Sequence, residues 1–181
     1  MLILVVEDDP LVALSLALCL AGAGYEVLGP ADRASAALDM AVRHRPDLAL
    51  LDIQLRDGHT GGALAGDLRR VGIPSLFVSA DTLEAHRNRN DALGFVMKPY
   101  EPHTILDAVL VAEDLLSGRP PRKAPFGLEL FEPLAAPSLM DGFPILGRAA
   151  MNPNIGVGSV AVGPAAADAG SPQVLELGEP D

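Results

Sequence analysis

Four short apolar runs, each closed by a polar or charged residue, set the limits on what this chain can fold into. Leu2-Ile3-Leu4-Val5-Val6 leads into Glu7-Asp8-Asp9-Pro10, and Leu48-Ala49-Leu50-Leu51 into Asp52. Ile73 to Val78 leads into Ser79, and Gly94-Phe95-Val96-Met97 into Lys98-Pro99. Runs of this length without polar alternation read as strands buried on both faces. A weaker run, Tyr25 to Leu28, carries Glu26 and stops at Gly29-Pro30, which suits an edge strand.

Helical stretches lie between these runs. Pro10 is a good first helical residue and Asp9 a good N-cap, and the apolar helix that follows ends at Gly22 and Gly24. Asp32 or Ser35 is expected to cap a second helix running to about His44. A loop from Leu55 to Thr60 precedes a third helix that reaches about Arg70. A short polar helix is expected over roughly 82–92, and a last one over 103–116 with Ile105, Leu106, Val109, Leu110 and Leu116 at helical spacing. Alternating strands and helices over residues 1–118 call for an α/β fold with a parallel sheet covered on both faces. Right-handed crossovers and this length favour a five-stranded, doubly wound, flavodoxin-like sheet of order 2-1-3-4-5, with strands 2 and 5 at its edges.

The composition changes near residue 119. The remaining 63 residues hold 10 Pro and 8 Gly, close to low-complexity chain. Residues 119–181 are therefore expected to be a Pro/Gly/Ala-rich disordered tail. Two apolar islands, Phe126 to Phe131 and Leu139 to Leu146, are the segments in it able to dock. The net charge of −11 opposes direct nucleic-acid binding. No apolar run is long enough for membrane insertion, and the start of the chain has no leader pattern, so a cytoplasmic protein is expected. Cys19 is the lone cysteine, read as a buried structural one. The four histidines show no metal-ligand spacing and read as surface positions.

In an open α/β sheet, ligands bind beyond the carboxyl ends of the strands, where the strand order reverses. Here four strand ends bring Glu7, Asp8, Asp52, Ser79 and Lys98 to one rim. Unit charges about 4 Å apart repel by roughly 4 kcal/mol at an effective dielectric of about 20, so such a cluster calls for a compensating cation. A hard divalent ion with oxygen ligands fits that need. Helix capping accounts for Asp9 alone.

With those residues in place, residues 1–118 resemble the receiver domain of two-component response regulators. Val5-Val6-Glu7-Asp8, Leu50-Leu51-Asp52, Val78-Ser79-Ala80 and Lys98-Pro99 are similar, in order and spacing, to the family's four signature sites. The resemblance implies a phosphoacceptor regulator rather than an enzyme. Asp52 is the implied acceptor of a phosphoryl group from a sensor histidine kinase or phosphotransfer protein. Asp8, Asp52 and the backbone carbonyl of Gln54 are implied to hold Mg²⁺, with Glu7 acting through metal-bound water. Ser79 and Lys98 would contact the phosphoryl oxygens, and Ser79 and Phe95 would form the switch. Homodimerisation is compatible with this family.

The resemblance has gaps. The loop after Asp52 reads Ile-Gln-Leu-Arg-Asp-Gly and is short, as is the interval from Ser79 to Lys98, so the usual signalling face of helix 4, strand 5 and helix 5 is expected to be atypical. A phosphorylation-independent interaction module is the alternative, weighed down by the fact that no essential group is missing. A flavin-binding protein would need a Ser/Thr/Gly-rich loop where Glu-Asp-Asp-Pro stands, and a dehalogenase-type phosphatase a second Asp where Gln54 stands.

Overall fold

The computed structural model describes residues 1–131. Strand β1 spans Leu2–Val6 and leads into helix α1, Pro10–Gly22. They are followed by β2 (Glu26–Ala31), α2 (Ala34–His44), β3 (Leu48–Leu51), α3 (Gly61–Arg70) and β4 (Ser75–Ser79). Then come α4 (Thr82–Arg87), a 3-10 turn at Arg89–Asp91, β5 (Gly94–Met97), α5 (Pro102–Leu116) and β6 (Leu128–Leu130). The sheet order is β2-β1-β3-β4-β5-β6, with the first five strands parallel and β6 antiparallel. The expected 2-1-3-4-5 order is therefore present, with a short sixth strand added.

The unbroken apolar runs behave as two-faced strands. Leu4, Val6, Leu51, Phe77 and Phe95 pack into one buried cluster with Ala37 and Ala41 of α2 and Leu64 and Leu68 of α3. Their neighbours Ile3, Val5, Leu50, Val78 and Val96 pack on the other side with Leu16 and Leu20 of α1 and Ile105, Val109 and Ala112 of α5. Alternate residues of the same strand thus feed two cores, as the period of two requires.

The start of α1 is as expected: Asp9 Oδ1 accepts from the Leu11 and Val12 amides. Its apolar circumference is not wholly buried, however. Only Ala13, Leu16 and Leu20 are fully enclosed, while Leu11, Leu14 and Leu18 face outward, Leu11 at 76 % exposure. Cys19 on the same helix is only partly buried, which corrects the expectation of a core cysteine; its Sγ lies 3.6 Å from the Pro102 carbonyl oxygen.

Other local readings also need correction. The α2 N-terminus has no cap from Asp32 or Ser35. Arg33 occupies that position, and Asp57 reaches across from the loop after β3 to accept from the Ala34 amide. The expected fourth helix is shorter, a six-residue turn and a half followed by the 3-10 turn. β5 is not an edge, because β6 pairs with it.

That last strand falls inside the segment read as a tail. Between α5 and β6 the chain is tied back by Asp114, whose carboxylate accepts from the guanidiniums of Arg119 and Arg122 and from the Arg122 amide. Those donors hold the Asp114 carboxyl well below the usual carboxylate range, the Arg122 side chain foremost. The island Leu139 to Leu146 lies outside the described residues.

Candidate functional site

The site is assembled by the carboxyl ends of four adjacent strands. The β1–β2 ladder shifts register between Leu4 and Val6, and beyond it the Glu7 amide donates to the Ala31 carbonyl while the Glu7 side chain is buried. The Asp52 amide donates to the Val6 carbonyl, which places the carboxylate that ends β3 beside the one that ends β1. Ser79 closes β4, and the Lys98 amide donates to its carbonyl, fixing the lysine at the same rim. The Lys98-Pro99 peptide is cis.

The side chains then meet. Lys98 Nζ donates to Glu7 Oε2 and to Asp52 Oδ2, both at 2.5 Å. Ser79 Oγ donates to Asp52 Oδ1 at 2.7 Å, and the Gln54 amide donates to the same oxygen at 3.1 Å. Asp52 thus has each carboxylate oxygen oriented by a fixed donor. The Asp81 amide donates to Ser79 Oγ, which holds that hydroxyl in place.

Burial drives the Glu7 pKa upward, against the pull of Lys98. Burial also works against the Lys98 ammonium, but its hydrogen bonds and charge contacts with Asp52 and Glu7 prevail and raise its pKa. The lysine is therefore charged throughout the neutral range.

Asp8 completes the cluster. Carboxylate oxygens of Glu7, Asp8 and Asp52 lie within 4.8 Å of one another. Three carboxylates against the single ammonium of Lys98 leave a surplus of two negative charges. This oxygen set and charge surplus fit a divalent hard cation such as Mg²⁺, which takes few carboxylates and keeps several waters.

Five of the seven residues singled out from sequence (Glu7, Asp8, Asp52, Ser79 and Lys98) converge at this rim. Gln54 contributes through its backbone amide, and its side chain is exposed. Phe95 stands apart: it is buried in the core beside Phe77 of β4, its ring 6.5 Å from that of His86. The direct Glu7–Lys98 contact is the geometry that sequence reasoning missed, since it expects Glu7 to act through water on the metal. A glutamate entering a buried rim opposite a lysine is the signal that could have revealed it. Among the described residues, no helix is long and apolar enough to cross a membrane.

An open parallel sheet of this order, with an acidic rim and a lysine just past β5, places the chain among the flavodoxin-like α/β proteins. The chain belongs to the response regulator receiver domain family, whose model matches residues 3–110. It is similar to the transcriptional regulatory protein PdtaR of Mycobacterium tuberculosis, with 30% identity over 114 residues that make up 61% of this chain and 55% of PdtaR. It is also similar to the phyllosphere-induced regulator PhyR of Methylorubrum extorquens, at 33% identity over 57% of this chain and 40% of PhyR. Among solved structures, a CheY-like receiver domain protein from Methanospirillum hungatei aligns at 28% identity with a TM-score of 0.54. That alignment covers 63% of this chain and 92% of the other. The chain spans about half the length of the curated relatives it matches, so the likeness is to their receiver portion. Receiver domains of response regulators are signalling parts of two-component systems, generally non-catalytic, and they bind Mg²⁺ at an acidic pocket and engage histidine kinases or phosphotransfer proteins.

Proposed function

We propose that Asp52 is the phosphoacceptor of a two-component relay and that the donor is a phosphohistidine on a sensor kinase or phosphotransfer protein. The observation that carries this reading is the dressing of Asp52. One oxygen is held by Ser79 and Gln54 and the other by Lys98, in a pocket with two further carboxylates. A carboxylate oxygen of Asp52 attacks phosphorus, the P–N bond to the donor imidazole breaks, and a P–O bond forms. The imidazole leaves with the bonding pair.

Glu7, Asp8, Asp52 and the Gln54 carbonyl are the groups assigned to hold Mg²⁺. When bound, the ion supplies positive charge that offsets repulsion between the phosphoryl oxygens and the acidic rim. The chain's own groups do the rest. Lys98 is positioned to leave the Asp52 carboxylate and pair with a phosphoryl oxygen, and the Ser79 hydroxyl, now donating to Asp52, is placed to donate to another. Such transfer rests on positioning and charge stabilisation more than on covalent help. Phosphorylation adds charge and strong acceptors beside Ser79, and Phe95 is the residue assigned to relay that change to the core.

The unit that performs this chemistry is residues 1–118; the segment from 119 onward is assigned no part in it. The test is intact mass after incubation with a small-molecule phosphodonor, with and without Mg²⁺, on wild type and Asp52→Asn. A single Mg²⁺-dependent phosphoryl adduct on wild type, wholly absent from Asp52→Asn, is expected. An adduct retained by the variant would move the acceptor elsewhere. No adduct on either, with kinase as well as small-molecule donors, would favour a phosphorylation-independent interaction module.

A further inference from the structure

A cleft of about 550 Å³ lies against the acidic rim, and no step of the transfer described above uses it. Each of its walls begins where a strand end delivers a site residue. Leu11, Val12 and Ser15 come from the first turns of α1, which starts just after Glu7 and Asp8. Ala80 follows Ser79, and Pro99 and Tyr100 follow Lys98. Lys98 itself lines the cleft, while its Nζ reaches Asp52 Oδ2 at 2.5 Å. The cleft is therefore a continuation of the rim, with the lysine at the border between them.

Its chemistry is the reverse of the rim's. Lys98 is the one charged residue among those that line it, and Leu11, Val12, Ala80 and Pro99 supply apolar wall. Burial raises the pKa of the Tyr100 phenol, so that ring adds no charge at neutral pH. Leu11 is left 76 % exposed, and apolar surface in that state gains free energy when an apolar group covers it. The volume falls within the range of small-molecule sites, roughly 300–1,000 Å³, where an apolar lining with a few polar groups is usual.

We propose that this cleft is a leaving-group site, through which Asp52 takes its phosphoryl group from small acyl phosphates that carry an aliphatic chain. The proposal rests on Asp52 being the phosphoacceptor and names a class of donor for it. A phosphoryl group held by Ser79 and Lys98 has the cleft as its neighbour, so the acyl chain lies along Leu11, Val12 and Tyr100. An Asp52 carboxylate oxygen attacks phosphorus, the P–O bond to the acyl group breaks, and the carboxylate leaves with the bonding pair. One mixed anhydride of a carboxylic and a phosphoric acid is exchanged for another, so the step needs no proton and no further reactant.

Hexanoyl and acetyl phosphate test this on the full chain, because their leaving carboxylates have nearly the same basicity and differ by four methylenes. A fully buried methylene is worth roughly fourfold in affinity, and an open cleft covers each in part. The second-order rate constant for labelling Asp52, read by intact mass with Mg²⁺ present, is expected to be at least about tenfold higher for hexanoyl phosphate. Leu11→Ser, which strips the apolar wall, and Ser15→Trp, which fills the cleft, are expected to bring that ratio near one while labelling by acetyl phosphate is kept.

Binding gives a readout without transfer. The methylene-bridged phosphonate analogue of hexanoyl phosphate is expected to shift the amide signals of Leu11, Val12, Ala80 and Tyr100. It should saturate at a concentration at least about tenfold lower than the acetyl analogue. Equal rates and equal affinities in wild type would overturn the proposal and leave the cleft to a protein side chain, as would a preference that both variants retain. Phosphoramidate, which has no acyl group, separates the two readings. Labelling of Asp52 by phosphoramidate with no preference for the longer acyl phosphate sinks the leaving-group site alone, whereas no labelling by any donor, kinase included, sinks both.

Discussion

Two ionic clusters of this molecule, one at the strand ends and one behind α5, differ in their arithmetic. At the strand ends, Glu7, Asp8 and Asp52 surround one ammonium and are left with excess negative charge. Behind α5, the single carboxylate of Asp114 is shared by two guanidiniums, both largely in water. The second cluster is left with one positive charge in excess, carried by half-exposed guanidiniums, and ties a connection to a helix. The first keeps a charge deficit that a cation would offset. A cluster whose excess charge lies toward water reads as architecture, whereas one that gathers excess negative charge at the buried carboxyl edge of a parallel sheet reads as a site.

The largest effect on that contrast is expected from Lys98→Met. It leaves Glu7 and Asp52 facing each other with no cation, and breaking a buried pair from one side should cost about 2–4 kcal/mol at neutral pH. Burial already holds the Glu7 pKa above its usual value. A raised folded pKa favours the native state at low pH, and that contribution fades as pH rises through it. The deficit should therefore shrink between about pH 8 and about pH 5. Urea unfolding at both values checks this; an equal loss at each would show that Lys98 supports the fold by packing alone.

A smaller loss is expected from Asp114→Asn, because both arginines can turn to solvent when their partner is removed. Hydrogen exchange should show the Arg122 amide and its neighbours losing protection while β1 and β3 keep theirs. The folded Asp114 carboxyl is held low, so its contribution is complete above about pH 4 and lost only as pH falls well below that. A wild-type chain that lost protection at 119–122 already near pH 5 would contradict this assignment.

The smallest effect belongs to a third contact, His86 with Glu129. Both ring nitrogens face acceptors, Nδ1 the Thr82 carbonyl and Nε2 the Glu129 carboxylate, so the ring is best served as the imidazolium. The Thr82 carbonyl and then Glu129 raise its pKa, with desolvation and, less, Arg89 opposing. That contribution is full below the unfolded histidine value and is lost as pH rises through the folded one. Protection of the β6 amides, corrected for intrinsic exchange, should thus fall modestly from about pH 6 to about pH 8, and His86→Gln should flatten the profile. A flat wild-type profile would show that the His86–Glu129 contact does not hold β6 in place.

What the sequence could disclose followed the range of the forces involved. β1, β3 and β4 were legible because each is a continuous apolar run, and the site was legible because each run ends in a chemically distinctive residue. Features built by distant partners were not. The α2 cap comes from Asp57, beyond the next strand, and no local pattern announces it. α1 is apolar almost all round, so its sequence could not say that Leu11, Leu14 and Leu18 would face outward. β6 was legible in part: the apolar island Phe126 to Phe131 marked a segment able to dock, but three alternating residues within Pro- and Gly-rich chain are too short to announce a strand, and the complementary cue, a bare Gly94, has meaning only once the two strands are side by side.

One further contact governs how this fold could be altered. A Cβ on Gly61 would lie 2.1 Å from the Asp52 carbonyl oxygen and 2.6 Å from Ile53 Cα, and the Gly61 amide donates to the Ile53 carbonyl. The first turn of α3 is thus seated on the backbone that carries Asp52. The chain leaves β3 and returns to almost the same point, with residues 54–60 forming a closed handle pinned at its base. The helix therefore meets the sheet at a fixed place, and the handle is held along its length as well: the Gln54 amide bonds Asp52, Leu55 enters the core and Asp57 caps α2, so only its exposed tip is open to change.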